Sequence, residues 1–565
     1  MKTPRFLVFV LSVAVFVVGC RTGNKETFVT SKPGEQASSS ANASPTPPPK
    51  VEVITNFDGN SSIIDLREGS ERGDPVAEAI LGHFMVRGIR VPQDAQQGLH
   101  LLESSAIQGF SHAMADLGNL YMNGEWVPRD YGKALHWLQM AADKSDADAE
   151  LDLGRCYQNG LGMDTNFTTA AMWYRRAAEQ TNFVAMKNLG VLYMKGEGEP
   201  TNYDLAIKWL TPAATIGQNS WAMCDLGILG ENGLLGGNSM AKAFGWYYQS
   251  AGLGNPMGCW RLAVCYHFGK SVARDQARYI FWADEAAAQG VAEAQFFLGE
   301  AYRIGDGVAT NQDLAIMWFR RAATNSYPEA CYNLALYYLR DKTNVEAQIE
   351  ANRYMFLAAQ GGHREAQFQY ALSCARGTVV PKDLDQYSHW LKISAEGGWP
   401  KAEFALAQSL LSGLAPFPKD ETEGEKWLER AAEHGHLRAL DMLAIRLMQG
   451  FGVAQDKTEA VKCWRWAAEH GDATAQNDLG YALMTGDAGK VDSVEACMWF
   501  QLAVKAGVAK AKINLANISS GLTDEQAQEA TRRAQDFRPE PLPQLNPVIR
   551  NNETGTPSLD ISTDD

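Results

Sequence analysis

Ten histidines and nine cysteines are the side chains of this 565-residue chain best suited to ligation or nucleophilic chemistry, and their spacing supports neither. His434 and His436 flank Gly435, but no third ligand follows at zinc spacing. His112 and His363 fall at turns. Cys156, Cys224, Cys259, Cys265, Cys331, Cys374, Cys463 and Cys497 are scattered singly and read as core thiols, since free cysteine is often buried. The sequence contains no H-E-x-x-H, no phosphate-binding P-loop and no nucleophile elbow. The expectation is therefore no catalytic residue, no metal and no cofactor.

A second kind of chemistry is periodic. Pairs of polar residues seven apart recur as Asp116/Asn123, Asp152/Asn159, Asn188/Lys195 and Asp225/Asn232. Seven residues are two helical turns, so each pair shares a helix face. Aligned carboxamides and carboxylates could hold the backbone of an extended peptide. The next two pairs are Arg261/Phe268 and Phe297/Ile304, so the row turns from polar to apolar. The plainer reading is turn chemistry, because Asn suits the position before a turn glycine.

The elements that position these pairs are copies of one hairpin. In Ala113–Ser145, Ala113, Leu117 and Tyr121 share a helix face, Gly124 ends that helix, and Asp130 can cap the next. Trp137 and Ala141–Ala142 mark the inner face of the second helix. The Trp137 position recurs as Leu101, Trp173, Trp209, Trp246, Trp282, Trp318, Tyr354, Trp390, Trp427, Cys463 and Trp499. The step is 36 residues, except 37 from Trp209 to Trp246 and from Trp390 to Trp427. A fixed period in this range marks a solenoid. A Leu column (Leu81, Leu117, Leu153, Leu189 onward) is followed in every copy by Gly or Ala, which lets a neighbouring helix come close. The turn Gly and the capping residue each fail once, at Asp341 and Ala347, in the same copy. Thr343 and Glu346 there have capping-box spacing, so that second helix is expected to begin a turn early, at Thr343 or Asn344. An aromatic stripe, Trp260, Phe296, Tyr332, Phe368 and Phe404, reads as core packing, with a docking surface as the rival.

The pattern A-x-x-x-L-G-x-x-Y-x-x-G…D…A-x-x-W-x-x-x-A-A-x-x-G resembles the Sel1-like repeats, relatives of the tetratricopeptide repeats. The resemblance implies an all-α fold: a right-handed α/α superhelical solenoid of about twelve helix-turn-helix repeats spanning residues 77–508. It also implies an interaction scaffold whose first helices line a concave groove. Asp116, Asn123, Asp152, Asn159, Asn188, Lys195, Asp225 and Asn232 are then the candidate peptide-binding residues. Family repeats commonly carry Asn at the first position of the pair. Some secreted relatives staple each repeat with a disulfide, and this chain lacks those cysteine pairs. Two alternatives follow from the family and the site: a β-lactam-binding or weakly hydrolytic cell-wall protein, and a cell-wall glycan binder.

The ends carry other signals. Residues 1–19 open with Lys2 and Arg5 and continue with an apolar run, Phe6 to Val18, too short to span a membrane and suited to a signal peptide. Val17-Val18-Gly19-Cys20 resembles the lipobox of bacterial lipoproteins, which implies cleavage before Cys20, lipidation of Cys20 and a bilayer anchor. Arg21 is not the Asp that retains enteric lipoproteins at the inner membrane, which favours the outer membrane, facing the periplasm. Residues 20–58 are rich in Ser, Thr and Pro and read as a disordered tether. Residues 59–76 read as an N-terminal capping helix, 509–537 as a half repeat with a closing helix capped by Thr523 or Asp524, and 538–565 as a disordered acidic tail. The net charge of −15 excludes nucleic acid as the main partner and leaves a protein or peptide. The function expected is a membrane-anchored scaffold or adaptor of the bacterial cell envelope.

Overall fold

The computed structural model describes residues 58–541 except Thr378 and Ala488. The signal peptide, Cys20, nearly all of the tether and the last residues of the tail lie outside that range. The described residues form 27 α-helices and no strand. They divide into two units at Leu226 and Gly227.

One turn design recurs along the chain. The first helix of a repeat ends on a left-handed glycine, such as Gly124 (φ 69°), Gly160 (φ 67°) or Gly269 (φ 70°). Glycine carries no steric penalty there. The residue six positions later has two roles. Its N–H donates back to the first helix, as in Asp130 N to the Tyr121 carbonyl at 2.9 Å and Asn311 N to the Tyr302 carbonyl at 2.8 Å. Its side chain accepts from the new helix, as Asp130 does from Lys133 N at 3.0 Å and Asn311 from Leu314 N at 3.1 Å. Such a cap contributes about 1 kcal/mol. At Ala347 no cap is possible, and the helix Val345–Gln360 starts earlier, capped by Asn344 on Ala347 N at 3.2 Å. Ala347 lies inside the helix. Thr343 does not form a capping box; its hydroxyl and N–H are both held by Asp341.

The helices interlock through glycine. The small residue after the Leu column faces not the Trp column but the position after it. A Cβ on Gly154 would stand 2.5 Å from the Tyr174 ring, on Gly227 2.3 Å from Tyr247, and on Gly480 2.9 Å from Phe500. Tyr174, Tyr247 and Phe500 are fully buried, whereas Trp137, Trp209, Trp246 and Trp282 are only half-buried. The rest of the Trp column is not uniform: Trp173, Trp318, Trp390 and Trp499 are buried as well. The aromatic stripe is core: Trp260, Phe296, Phe368 and Phe404 are buried, and half-buried Tyr332 stacks on His363 at 4.2 Å.

In the first unit, Leu66 of helix Ile63–Glu71 packs with Ala77, Leu81, Phe84 and Val91 of the first repeat. Arg90 ties the preceding turn through the Gly59 and Ser61 carbonyls at 2.7 and 3.0 Å. The extra residue before Trp246 is taken up in the turn preceding Ser220, where Asn219 caps Ala222 N at 2.9 Å. In the second unit, helix Asp524–Asp536 begins with a capping box between Thr523 and Gln526 and buries Ala530. The ordered chain continues past Phe537, the boundary read from the sequence. Phe537 meets Trp499 edge to face at 5.3 Å, and Glu540 N donates to the Glu469 carbonyl at 2.9 Å.

Candidate functional site

The first residue of each recurring pair sits where first helices of adjacent repeats meet. In the first unit, His83 Nδ1 lies 3.0 Å from Asp116, and Asn119 donates to Asp152 at 2.6 Å. Arg155, one turn on, approaches the other Asp152 oxygen at 3.4 Å. A residue three past one repeat-start alanine is thus bonded by the residue six past the preceding one. The second unit repeats the device with reversed roles, as Asn333 donates to Glu300 at 2.7 Å.

This ladder changes the standing of the candidate residues. Asp152 and Asp225 are each 2% exposed, so neither carboxylate faces a ligand. Burial pushes the Asp152 carboxyl up to about 6, against the opposing pull of Arg155. Asp116 keeps partial exposure beside His83. Asn188 is half-buried beside Tyr174, whose hydroxyl donates to Gln158 at 2.6 Å and whose pKa burial raises. The second members differ. Asn123 and Asn159 are exposed, and Lys195 and Asn232 are half-buried. The structure therefore leaves Asn123, Asn159, Lys195, Asn232 and, in part, Asp116 and Asn188 on the surface. The residue six past each alanine was missed because its partner is 33 residues away; complementary types at that separation were its only signal.

Other polar groups also serve the stack. His112 Nδ1 meets Asp146, the cap of the next first helix, at 2.5 Å. That hydrogen bond raises the His112 pKa; for Asp146, burial is the largest influence and would raise it, but the hydrogen bond and charge of His112 together with the Ala149 N–H and the Ser111 side chain outweigh burial, and the net shift is downward. Glu403, fully buried, is reached by His434 at 2.7 Å and Arg430 at 3.3 Å. His363 and His436 cap helices on Ala366 N and Ala439 N, and burial lowers each to about 4. Cys156, Cys224, Cys259, Cys265, Cys331, Cys374 and Cys497 are buried and unbridged, and Cys463 is half-buried and unbridged. Among the described residues no group of three or more His, Cys, Asp or Glu could hold a metal ion. His83, Val86, Arg87, Leu102, Asp116 and Leu120 line a shallow, open depression that holds no interior cavity.

Twelve consecutive segments match the Sel1 repeat: residues 75–110, 111–146, 147–182, 184–217, 222–255, 256–291, 292–327, 328–363, 364–399, 400–436, 437–472 and 473–508. The chain belongs to the Sel1 repeat family. Each Sel1 segment holds one first helix and one second helix, joined by a glycine turn in all but 328–363, and the fold is that of a solenoid of about twelve repeats. Proteins of this family generally act as scaffolds that bind other proteins. The crystal structure of c5321, a protective antigen present in uropathogenic Escherichia coli strains and displaying an SLR fold, is 29% identical. The match covers 85% of this chain and 94% of that one, with a TM-score of 0.51. A Sel1 repeat protein from Oxalobacter formigenes is 28% identical over 43% of this chain and 96% of that one, with a TM-score of 0.41. The search of curated proteins produced no match.

Proposed function

We propose that this Sel1 repeat protein is a lipid-anchored scaffold or adaptor of the bacterial cell envelope. It binds a protein or peptide on the face formed by its first helices. The observation that carries this reading is a division of labour among columns. The repeat-start alanine, the Leu–Gly pair and the residue after the Trp column are spent on packing. The residue ten past the alanine remains at the surface and differs in type from repeat to repeat: Asn123, Asn159, Lys195, Phe268, Ile304. Variable side chains on an invariant frame suit recognition.

The anchor rests on residues 1–20. Acyl chains on Cys20 would contribute ~0.8 kcal/mol per buried CH₂ and hold the solenoid at a bilayer. Arg21 favours the outer membrane, with the repeats facing the periplasm. No helix among the described residues is long and apolar enough to cross a membrane. Exposed Phe268 supports a second reading, a glycan binder, because an aromatic face can stack on a sugar ring.

Two experiments test the proposal. Radiolabelled palmitate should enter the wild type and not Cys20→Ser, and the variant should leave the membrane fraction. Label in both would remove the anchor. Capture of a partner from envelope extracts should weaken with Asn123→Arg or Lys195→Glu and persist with Met172→Lys on a second helix. Equal loss in all three would remove the first-helix face from consideration.

A further inference from the structure

In the second unit the residue ten past the repeat-start position is, in four consecutive repeats, Phe268, Ile304, Arg340 and Arg376, each 36 residues from the last. Phe268, Ile304 and Arg376 end their first helices, and Arg340 stands just past the shortened helix Pro328–Tyr338. All four are exposed, Phe268 at 48% and Ile304 at 58%. Their helices are neighbours. Trp260 stacks on Phe297 at 5.4 Å, Asn333 bonds Glu300, and Tyr332 stacks on His363, the cap of helix Arg364–Arg376, so the four first helices follow one another in sequence. Half-buried Phe297 and Leu336, 41% exposed, add apolar surface beside the row.

Charge decides what fits the arginine end. The nearby acids are already engaged. Glu300 is held by Arg303 at 2.6 Å and by Asn333, and Asp306 by Gln276 and by Arg274 at 3.6 Å. Asp341 accepts the Thr343 and Asn344 N–H groups at 3.1 Å. Among the described residues neither Arg340 nor Arg376 has an ion-pair partner. In a chain of net charge −15, two adjacent uncommitted guanidinium groups on one row ask for carboxylates.

We infer that Phe268, Ile304, Arg340 and Arg376 form a docking strip for an extended peptide that presents two apolar side chains followed by two carboxylates. The inference rests on the first-helix face being the binding face and names the partner chemistry at this part of it. Neighbouring helices stand ~8–10 Å apart and an extended chain advances ~3.3 Å per residue, so about every third peptide residue meets the strip.

The test uses the full chain and a fluorescein-labelled decapeptide, Phe-Ser-Ser-Leu-Ser-Ser-Glu-Ser-Ser-Glu, followed by fluorescence polarisation. The reversed sequence and versions with Lys in place of both Glu accompany it. One direction of the Glu peptide should bind, and its Lys version should bind at least about tenfold more weakly. The double variant Arg340→Glu/Arg376→Glu should reverse that preference, with helicity checked by circular dichroism. No saturable binding in either direction, or an unchanged preference in the variant, would overturn the inference. If partner capture still depended on Asn123 and Lys195, the broader proposal would stand without it.

Discussion

Gly154→Ala is a methyl group placed where a tyrosine already is. The new Cβ would lie 2.5 Å from Cδ1 and Cε1 of Tyr174, whereas carbon atoms rest ~3.5–4.0 Å apart. Tyr174 must move by about 1 Å, yet its ring is fully buried and its hydroxyl donates to Gln158 at 2.6 Å. Overpacking of this kind costs about 1–3 kcal/mol, and weakening the hydroxyl bond adds ~0.5–1.5 kcal/mol. Alanine returns roughly 1 kcal/mol through helix propensity. The net loss expected is about 0.5–3.5 kcal/mol. Gly245→Ala is the control, also inside a helix but with no atom within 4 Å of the new methyl; it should gain ~0.5–1 kcal/mol. Urea unfolding followed by circular dichroism, compared at constant m, measures both. Substitutions of the same sign, or a stabilising Gly154→Ala, would refute the interlock between the glycine column and the residue after the Trp column.

Further outcomes follow from the same geometry. The Asp152 pKa rises from 3.8 to about 6 on folding, so its penalty sets in as pH climbs through that window and is full above it. Two pKa units amount to roughly 3 kcal/mol, so Asp152→Asn should match or exceed wild-type stability at pH 7; a clear loss in urea titrations at pH 7 would contradict the buried-carboxylate reading. The His112–Asp146 pair works the other way: His112 is raised and Asp146 lowered, so the pair contributes most between about pH 4 and 6.5. His112→Asn should therefore flatten the fall in melting temperature above pH 6.5; an unchanged pH profile would remove the pair as its cause. Burial pushes Cys156 up to about 12 and Cys463 up to about 11, so thiol reagents should label the native repeats slowly and reducing agent should leave the melting temperature unchanged. Fast labelling, or a reductant-sensitive melt, would show that the thiols are not buried and unbridged.

Much of the fold was legible because one hairpin is written twelve times. Gly124, Asp130 and their equivalents name turns whose backbone needs are local, and local needs show in local sequence. Repeats with a missing signal were legible too: Ala347 cannot cap, and Asn344 stands nearby to do so. The core column was harder to read. Trp137 attracts attention by size, but the phase of the second helix turns Leu138 and Tyr174 inward. Large rings can lie at the edge of a core and still cover it. Less of the site was legible. Asp116, Asp152 and Asp225 look like surface groups on a shared face, yet two of the three are buried between helices. What buries Asp152 is the neighbouring repeat carrying Asn119, 33 residues away, and no single-repeat pattern shows it. Charge reversal at Asp152 or Asp225 would therefore test packing rather than binding. The exposed row ten past the alanine is the better place to probe recognition.

The most direct measurement is site-specific photocrosslinking in the native cell. Benzoylphenylalanine would be placed singly at Asn123, Asn159, Phe268 and Ile304 on the first-helix face, and at Met140, Met172 and Phe281, which are exposed on second helices. Discrete protein adducts from the first set and none from the second are the expected result. Adducts confined to the second-helix positions would contradict the claim that this solenoid recognises its partner through its first helices.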